Sequence, residues 1–254
     1  MKKWLFLLLL LSIFGSPRAE GEQKALVLLT YEYPPLMEQD SELSGHSGYA
    51  IEIVEEAFRR IKVPISVQFY PLARALAMLS AQKADGLFTL KKNKEREVKF
   101  LFSSQEILTQ DYVIFVRNDF DFRFTGDIRE LAGLSIGILN KAYYGPELEQ
   151  ALENRMFKRV EIANSHEKNF IKLLGNRMDA VICSRVVGMA ILKKLNASHL
   201  ARITGPAVHK APSYVMFNQQ TVSHELVQKF DSALISMHQD GTFAKIERKY
   251  LHSR

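Results

Sequence analysis

The sequence predicts an α/β protein built as two units of similar grammar. Three observations lead there. In the first third, short apolar runs alternate with stretches of helical periodicity, which implies parallel strands joined by helical crossovers. After Arg117-Asn118-Asp119 turns the composition polar, the same alternation restarts without a sequence repeat. Near Tyr214 the chain returns through one more apolar run before two terminal helices.

The mature chain opens with an apolar run at 24–30, read as a buried strand. Tyr31-Glu32-Tyr33-Pro34-Pro35 stops it, because proline cannot donate to a ladder. Ile51, Val54, Phe58 and Ile61 then recur at helical spacing. Ile65, Val67 and Phe69 alternate as a half-buried strand. Pro71 suits the first turn of a helix, and Leu72, Ala75, Leu76 and Leu79 line one face of it. Residues 86–90 form the third strand. In such sheets ligands collect beyond the carboxyl ends of the strands. The segments 31–35, 70–74 and 89–96 lie at those ends and should converge on one crevice.

A strand at 112–116 carries the chain out of the first unit. The second unit reads as strands at 134–138, 160–163 and 180–183, with helices from 146, at 170–174 and at 187–195. Pro206 and Pro212 punctuate the path to a strand at 214–217, the second crossover. A long helix then carries Leu226, Phe230, Leu234 and Met237 on one face. It ends at Asp240-Gly241, with glycine where a left-handed cap is wanted. Phe243, Ile246 and Tyr250 mark a last amphipathic helix.

The N-terminus precedes this fold. Lys2 and Lys3 give a basic start, and the apolar run at 5–14 is short for a bilayer span. Ser16-Pro17 breaks the run, and Ala19-Glu20-Gly21 offers the small residues a signal peptidase reads. Residues 1–21 are thus expected to be a secretory signal peptide, cut after Gly21, with Ala19 as the alternative. No cysteine stands at that site to carry a lipid, so the periplasm is the expected location. Cys183 is the only cysteine; it excludes an internal disulfide and reads as a small core residue.

The 254 residues are 47% hydrophobic and 24% charged, enough for a sizeable core. The formal charge is +6; Lys2, Lys3 and Arg18 against Glu20 account for +2 of it, leaving about +4. That is a mild bias towards anionic ligands. No basic block interleaved with aromatics points to nucleic acid, and the seven histidines lack metal-ligand spacing. No metal and no cofactor are expected.

Arg96 follows the 86–90 strand across a charged loop. A guanidinium placed there can grip a carboxylate with two parallel hydrogen bonds. It can equally be one basic residue in a solvated run with Lys91, Lys92 and Lys94. Arg74, early in its helix, either faces the crevice as a second positive charge or is solvated.

Several pieces, in order and spacing, resemble the bacterial extracellular solute-binding proteins of family 3, the periplasmic polar amino acid binders. They are Tyr33-Pro34-Pro35, Gly48-Tyr49, Asp85-Gly86, Glu95-Arg96, Phe102-Ser103, Leu131-Ala132-Gly133, Arg177-Met178-Asp179-Ala180-Val181 and Asp240-Gly241-Thr242-Phe243-Ala244-Lys245-Ile246. Pro71-Leu72-Ala73-Arg74-Ala75 and Tyr144-Gly145 look like marks of a divergent branch.

The resemblance implies a periplasmic binding protein type II fold. Two α/β lobes, 22–115 with 215–254 and 116–214, would be joined by two crossover strands around a ligand cleft. It implies a monomer that closes on a small carboxylate-bearing, amino-acid-like solute for an inner-membrane ABC transporter permease. Arg96 would grip the carboxylate, with a hydroxyl at Thr89 and an aromatic at Tyr33.

Two departures stand out. Where the amino acid binders have glycine and threonines, this chain has Asn140-Lys141-Ala142-Tyr143-Tyr144, so Tyr143 and Tyr144 are the candidate substitutes. Where they have the ammonium-binding aspartate, it has Ser184. A buried ammonium without a carboxylate is costly, and Glu32 is the candidate for the missing charge. The alternatives are a ligand-sensing accessory role and, on the same scaffold, a cyclohexadienyl-dehydratase-like enzyme with Arg96 and Glu32 as carboxylate binder and general acid.

Overall fold

The computed structural model describes residues 24–39 and 45–251. The expected signal peptide lies outside them.

The first lobe begins with β1 (Leu26–Thr30), a two-stranded ribbon of β2 (Glu38–Gln39) and β3 (His46–Ser47), and α1 (Tyr49–Arg60). It continues through β4 (Ile65–Phe69), α2 (Leu72–Ser80), β5 (Gly86–Leu90), α3 (Lys94–Lys99) and β6 (Leu101–Phe102). β7 (Leu108–Arg117) then leads to β8 (Ser135–Leu139), α4 (Pro146–Glu153), β9 (Arg159–Ala163), α5 (His166–Leu174), β10 (Ala180–Ser184) and α6 (Arg185–Lys194). The chain returns along β11 (Ala201–Phe217) and ends in α7 (His224–Gln239) and α8 (Thr242–Leu251).

β1 pairs in parallel with β4 and β5, and β8 in parallel with β9 and β10, as the strand–helix alternation predicts. β7 and β11 run antiparallel to each other and join the two halves. β11 pairs with β7 from Ala201 to Ser213 and with β5 from Tyr214 to Phe217.

β11 differs from expectation. Pro206 and Pro212 do not interrupt it; it is one strand of 17 residues. The reason is where the missing N–H groups fall. Pro206 lies in the irregularity between Thr204 and His209, and Pro212 lies where β11 pairs with β7 alone, before β5 takes over at Tyr214. Gly205 sits in the same irregularity at φ +68°, and a side chain there would overlap the Phe124 carbonyl.

The periodic residues form the core. Ile51, Val54 and Phe58 of α1 are fully buried, and the Phe58 ring meets Phe230 at 4.9 Å and Phe217 at 6.4 Å. Burying such a ring contributes roughly 1.5–3 kcal/mol. Gly48 opens α1 at φ +135°, where any side chain would strike the Leu36 carbonyl. Gly241, at φ +77°, separates α7 from α8 as the left-handed cap predicted there.

Both lobes use one aspartate in the same way. The Asp85 carboxylate accepts the Val27 N–H at 2.8 Å, and the Asp85 N–H bonds the Val27 carbonyl. In the second lobe the Asp179 carboxylate accepts the Ser135 N–H at 2.8 Å, and its own N–H bonds the Ser135 carbonyl. Each aspartate pins the third strand of its lobe to the first. The lobes thus share a device that no sequence repeat announces.

Candidate functional site

The carboxyl ends of β1, β5, β8 and β9 meet between the lobes. They enclose a cavity of about 20 Å³, scarcely more than one water requires. The first lobe lines it with Tyr31, Tyr33, Thr89, Lys91 and Arg96; the second with Tyr143, Tyr144 and His166, and β7 adds Tyr112.

Arg96 is positioned by α3. The Asn93 side chain caps that helix by accepting the Arg96 N–H at 2.9 Å. The guanidinium donates from Nη1 to the Lys91 carbonyl and from Nη2 to the Lys141 carbonyl, each at 3.0 Å. It therefore bridges the lobes with two of its five donors. Burial holds its pKa below the usual arginine value.

Lys91 corrects the solvated reading of the charge run. Only 7% exposed, its ammonium donates to the Tyr143 carbonyl at 2.6 Å and lies 3.5 Å from the Tyr112 ring centroid. Burial, reinforced by the charge of Arg96, lowers its pKa well below the ordinary lysine value. Lys92 rests against the Tyr214 ring at 3.9 Å, and Lys94 is exposed.

Thr89, the penultimate residue of β5, has φ +68°, an outlier conformation for a β-branched residue. Its hydroxyl meets the Met37 sulfur at 2.9 Å, and its carbonyl accepts from the Tyr31 hydroxyl.

A neutral hydrogen-bond chain crosses the cleft. The Tyr33 and Tyr112 hydroxyls are 3.1 Å apart, Tyr112 donates to the Gln110 amide oxygen, and Gln110 Nε2 donates to the Ser184 hydroxyl at 3.2 Å. Ser184 and Gln110 line a second, wider crevice of about 270 Å³ rather than the Arg96 cavity. His166, at the start of α5, is 3% exposed with its Nδ1 unpartnered. Burial, with the nearby charge of Lys91, pushes its pKa down to about 3, so the imidazole is neutral.

Of the residues singled out from the sequence, Tyr33, Thr89, Arg96, Tyr143 and Tyr144 share one cavity. Tyr144 is 1% exposed and accepts the Leu139 N–H on its hydroxyl. Glu32 faces elsewhere: its carboxylate accepts the Gln39 N–H at 2.7 Å and borders a cavity with Tyr70 and Asn164. Arg74 is exposed and lies over the Tyr70 ring at 4.8 Å.

Sequence reasoning missed Lys91, Tyr112, Gln110 and His166. Lys91 stands two residues beyond Thr89, and His166 follows a serine cap at a strand end; those were the available signals. Tyr112 and Gln110 come from the crossover strand and carried none.

Comparison with known proteins agrees with this architecture. The probable amino-acid-binding protein YxeM of Bacillus subtilis (strain 168) is 20% identical over 262 residues, 99% of this chain and 96% of the relative. The L-cystine-binding protein TcyA of the same organism is 21% identical over 218 residues, 86% of this chain and 77% of that one. Among solved structures, an ancestral arginine-binding protein bound to arginine superposes with a TM-score of 0.78 at 20% identity, covering 89% of this chain and 98% of the other. A histidine kinase sensor domain with similarity to periplasmic binding proteins gives 0.79 at 16% identity, covering 90% and 96%. The fold is that of the type II periplasmic binding proteins, two α/β lobes on two crossover strands. The model of the bacterial extracellular solute-binding proteins, family 3, matches residues 26–253, and the chain belongs to that family.

Proposed function

We propose that this protein captures a small carboxylate-bearing solute in the periplasm by closing its lobes, and delivers it to an inner-membrane ABC transporter. The observation that carries the reading is Arg96. It is a buried guanidinium in the interlobe cavity, already bonded to carbonyls of Lys91 and Lys141, with three donors left over for a carboxylate. A solute held between 22–115 with 215–254 on one side and 116–214 on the other favours the closed state, because only there does it touch both walls. Micromolar capture requires about 8 kcal/mol, within reach of one charge-assisted clamp, aromatic contacts and closure.

The protein acts as a binder rather than an enzyme. The general acid that a dehydratase-like reaction would need, Glu32, is engaged by Gln39 and does not line the Arg96 cavity.

Thermal-shift screening against amino acids, carboxylates and amines, with mass spectrometry of any co-purified solute, tests the reading. Arg96→Ala should weaken a found carboxylate by about 100-fold, the loss expected when one partner of a buried charge pair is removed. Equal binding by wild type and variant would refute the clamp.

The likeness to a histidine kinase sensor domain favours a second reading, in which occupancy is reported to a membrane partner. ATP hydrolysis by a reconstituted candidate transporter, stimulated only by the solute-loaded protein, decides for transport.

A further inference from the structure

We infer that the solute is a small organic dianion, one acidic group held by Arg96 and the other by Lys91, and not a zwitterionic amino acid. This rests on the solute-binding reading above and names the ligand class for the same site.

The first observation is the charge inventory. Arg96 and Lys91 are both buried in one cavity, and among the described residues neither has a carboxylate partner. Their hydrogen bonds go to the carbonyls of Lys91, Lys141 and Tyr143. Glu149, whose charge acts on both, spends an oxygen on the Tyr144 N–H at 3.0 Å. Charging two buried basic groups that lack a carboxylate partner is costly, and burial pushes both pKa values down. A ligand with two negative charges removes that cost, whereas a single carboxylate leaves one cation unmatched.

The second observation is the facing wall. A zwitterion needs an acceptor charge for its ammonium, and among the described second-lobe residues that line the cavity none provides one. Ser184 is tied to Gln110 outside the Arg96 cavity, and the second-lobe polar groups that line the cavity are the tyrosines Tyr143 and Tyr144 and the neutral imidazole of His166. His166 adds a nine-tenths-buried ring whose Nδ1 has no partner. Hydroxyl and imidazole N–H groups can donate to an anion; none of them can balance a cation.

The third is the placement of the Lys91 ammonium. It rests against the Tyr112 ring and the Tyr143 carbonyl with one hydrogen bond made. An ammonium has three donors, so two remain for an acid group entering when the lobes part.

The test is calorimetry with malonate, succinate and glutarate, set beside propionate, butyrate and valerate and beside alanine, glutamine and arginine, on wild type, Lys91→Met and Lys91→Arg. The expected result is at least tenfold tighter binding of one dicarboxylate than of its monocarboxylate counterpart. Lys91→Met should abolish that difference and Lys91→Arg should retain it. Inorganic phosphate is included to separate two acid groups from one doubly charged group, and tighter binding of phosphate than of every dicarboxylate overturns the inference. So does a zwitterionic amino acid or monocarboxylate that binds as tightly as the dicarboxylates, or amino acid binding that appears on Lys91→Met; each leaves the solute-binding reading standing. Binding of no carboxylate of any kind by wild type overturns both.

Discussion

The two walls of the cleft come from lobes of the same grammar, yet they differ in charge. Behind them the lobes are alike: Asp85 and Asp179 make equivalent pins between the third and first strands. At the Arg96 cavity the first lobe presents Arg96 and Lys91, while the second presents Tyr143, Tyr144 and a neutral His166, with no charged side chain among its described lining residues. A strand-end scaffold thus keeps its geometry while its loops are rewritten, because the pins and the core lie outside the cleft. The lesson concerns selectivity. An asymmetric site of cations against neutral donors discriminates by leaving unsuitable partners unpaired, which costs more than a weak contact gains.

Three experiments break or sharpen that contrast. The largest effect comes from charging the neutral wall. His166 has a folded pKa of about 3, below the ordinary 6.5. Between those values the unfolded chain takes up a proton that the native protein does not, so stability falls as pH falls through the window. The ideal loss is about 1.4 kcal/mol per unit, or about 3 kcal/mol between pH 6.5 and 4. Urea unfolding across that range should show it, and His166→Gln should flatten the slope. An unchanged slope in the variant would assign the acid sensitivity to other groups.

Next, the charged wall can be neutralised. Lys91→Met replaces a buried cation by an apolar chain of similar length, and such exchanges often stabilise by about 1–4 kcal/mol. The urea midpoint of the ligand-free protein should rise. A fall would mean that the bond to the Tyr143 carbonyl outweighs the burial of the charge.

The smallest change is to the chain between the walls. Tyr33→Phe removes the hydroxyl that meets Tyr112 but leaves the ring against Tyr31 and His166. The expected cost is about 1 kcal/mol, the net worth of one hydrogen bond. Denaturation of the variant beside wild type measures it, and a loss above 3 kcal/mol would show the whole chain to Ser184 acting cooperatively.

What was legible in the sequence follows from local physics. Ile51, Val54 and Phe58 carry their period visibly, and Gly241 marks its cap, because burial on one helix face and a left-handed turn each constrain residue type directly. The sequence does not show the full length of β11, because whether a proline breaks a strand depends on whether a neighbour needs its N–H. At the site, strand ends and the family pattern pointed to Tyr33, Thr89 and Arg96. They could not reveal that Glu32 turns away to Gln39 or that Lys91 turns inward to Tyr112.

The order of elements and the α/β class were therefore determined by the sequence itself, since periodicity, turn residues and spacing act along the chain; Arg96 was singled out as the clamp candidate only by the family resemblance. Only the tertiary structure decided the charge of the cleft. A lysine in a basic run reads as solvated until the crossover strand β7 supplies a ring at 3.5 Å and the opposite lobe a carbonyl at 2.6 Å. Burial is a property of what packs across the cleft, and those partners lie some twenty and fifty residues away in the chain, at Tyr112 and Tyr143.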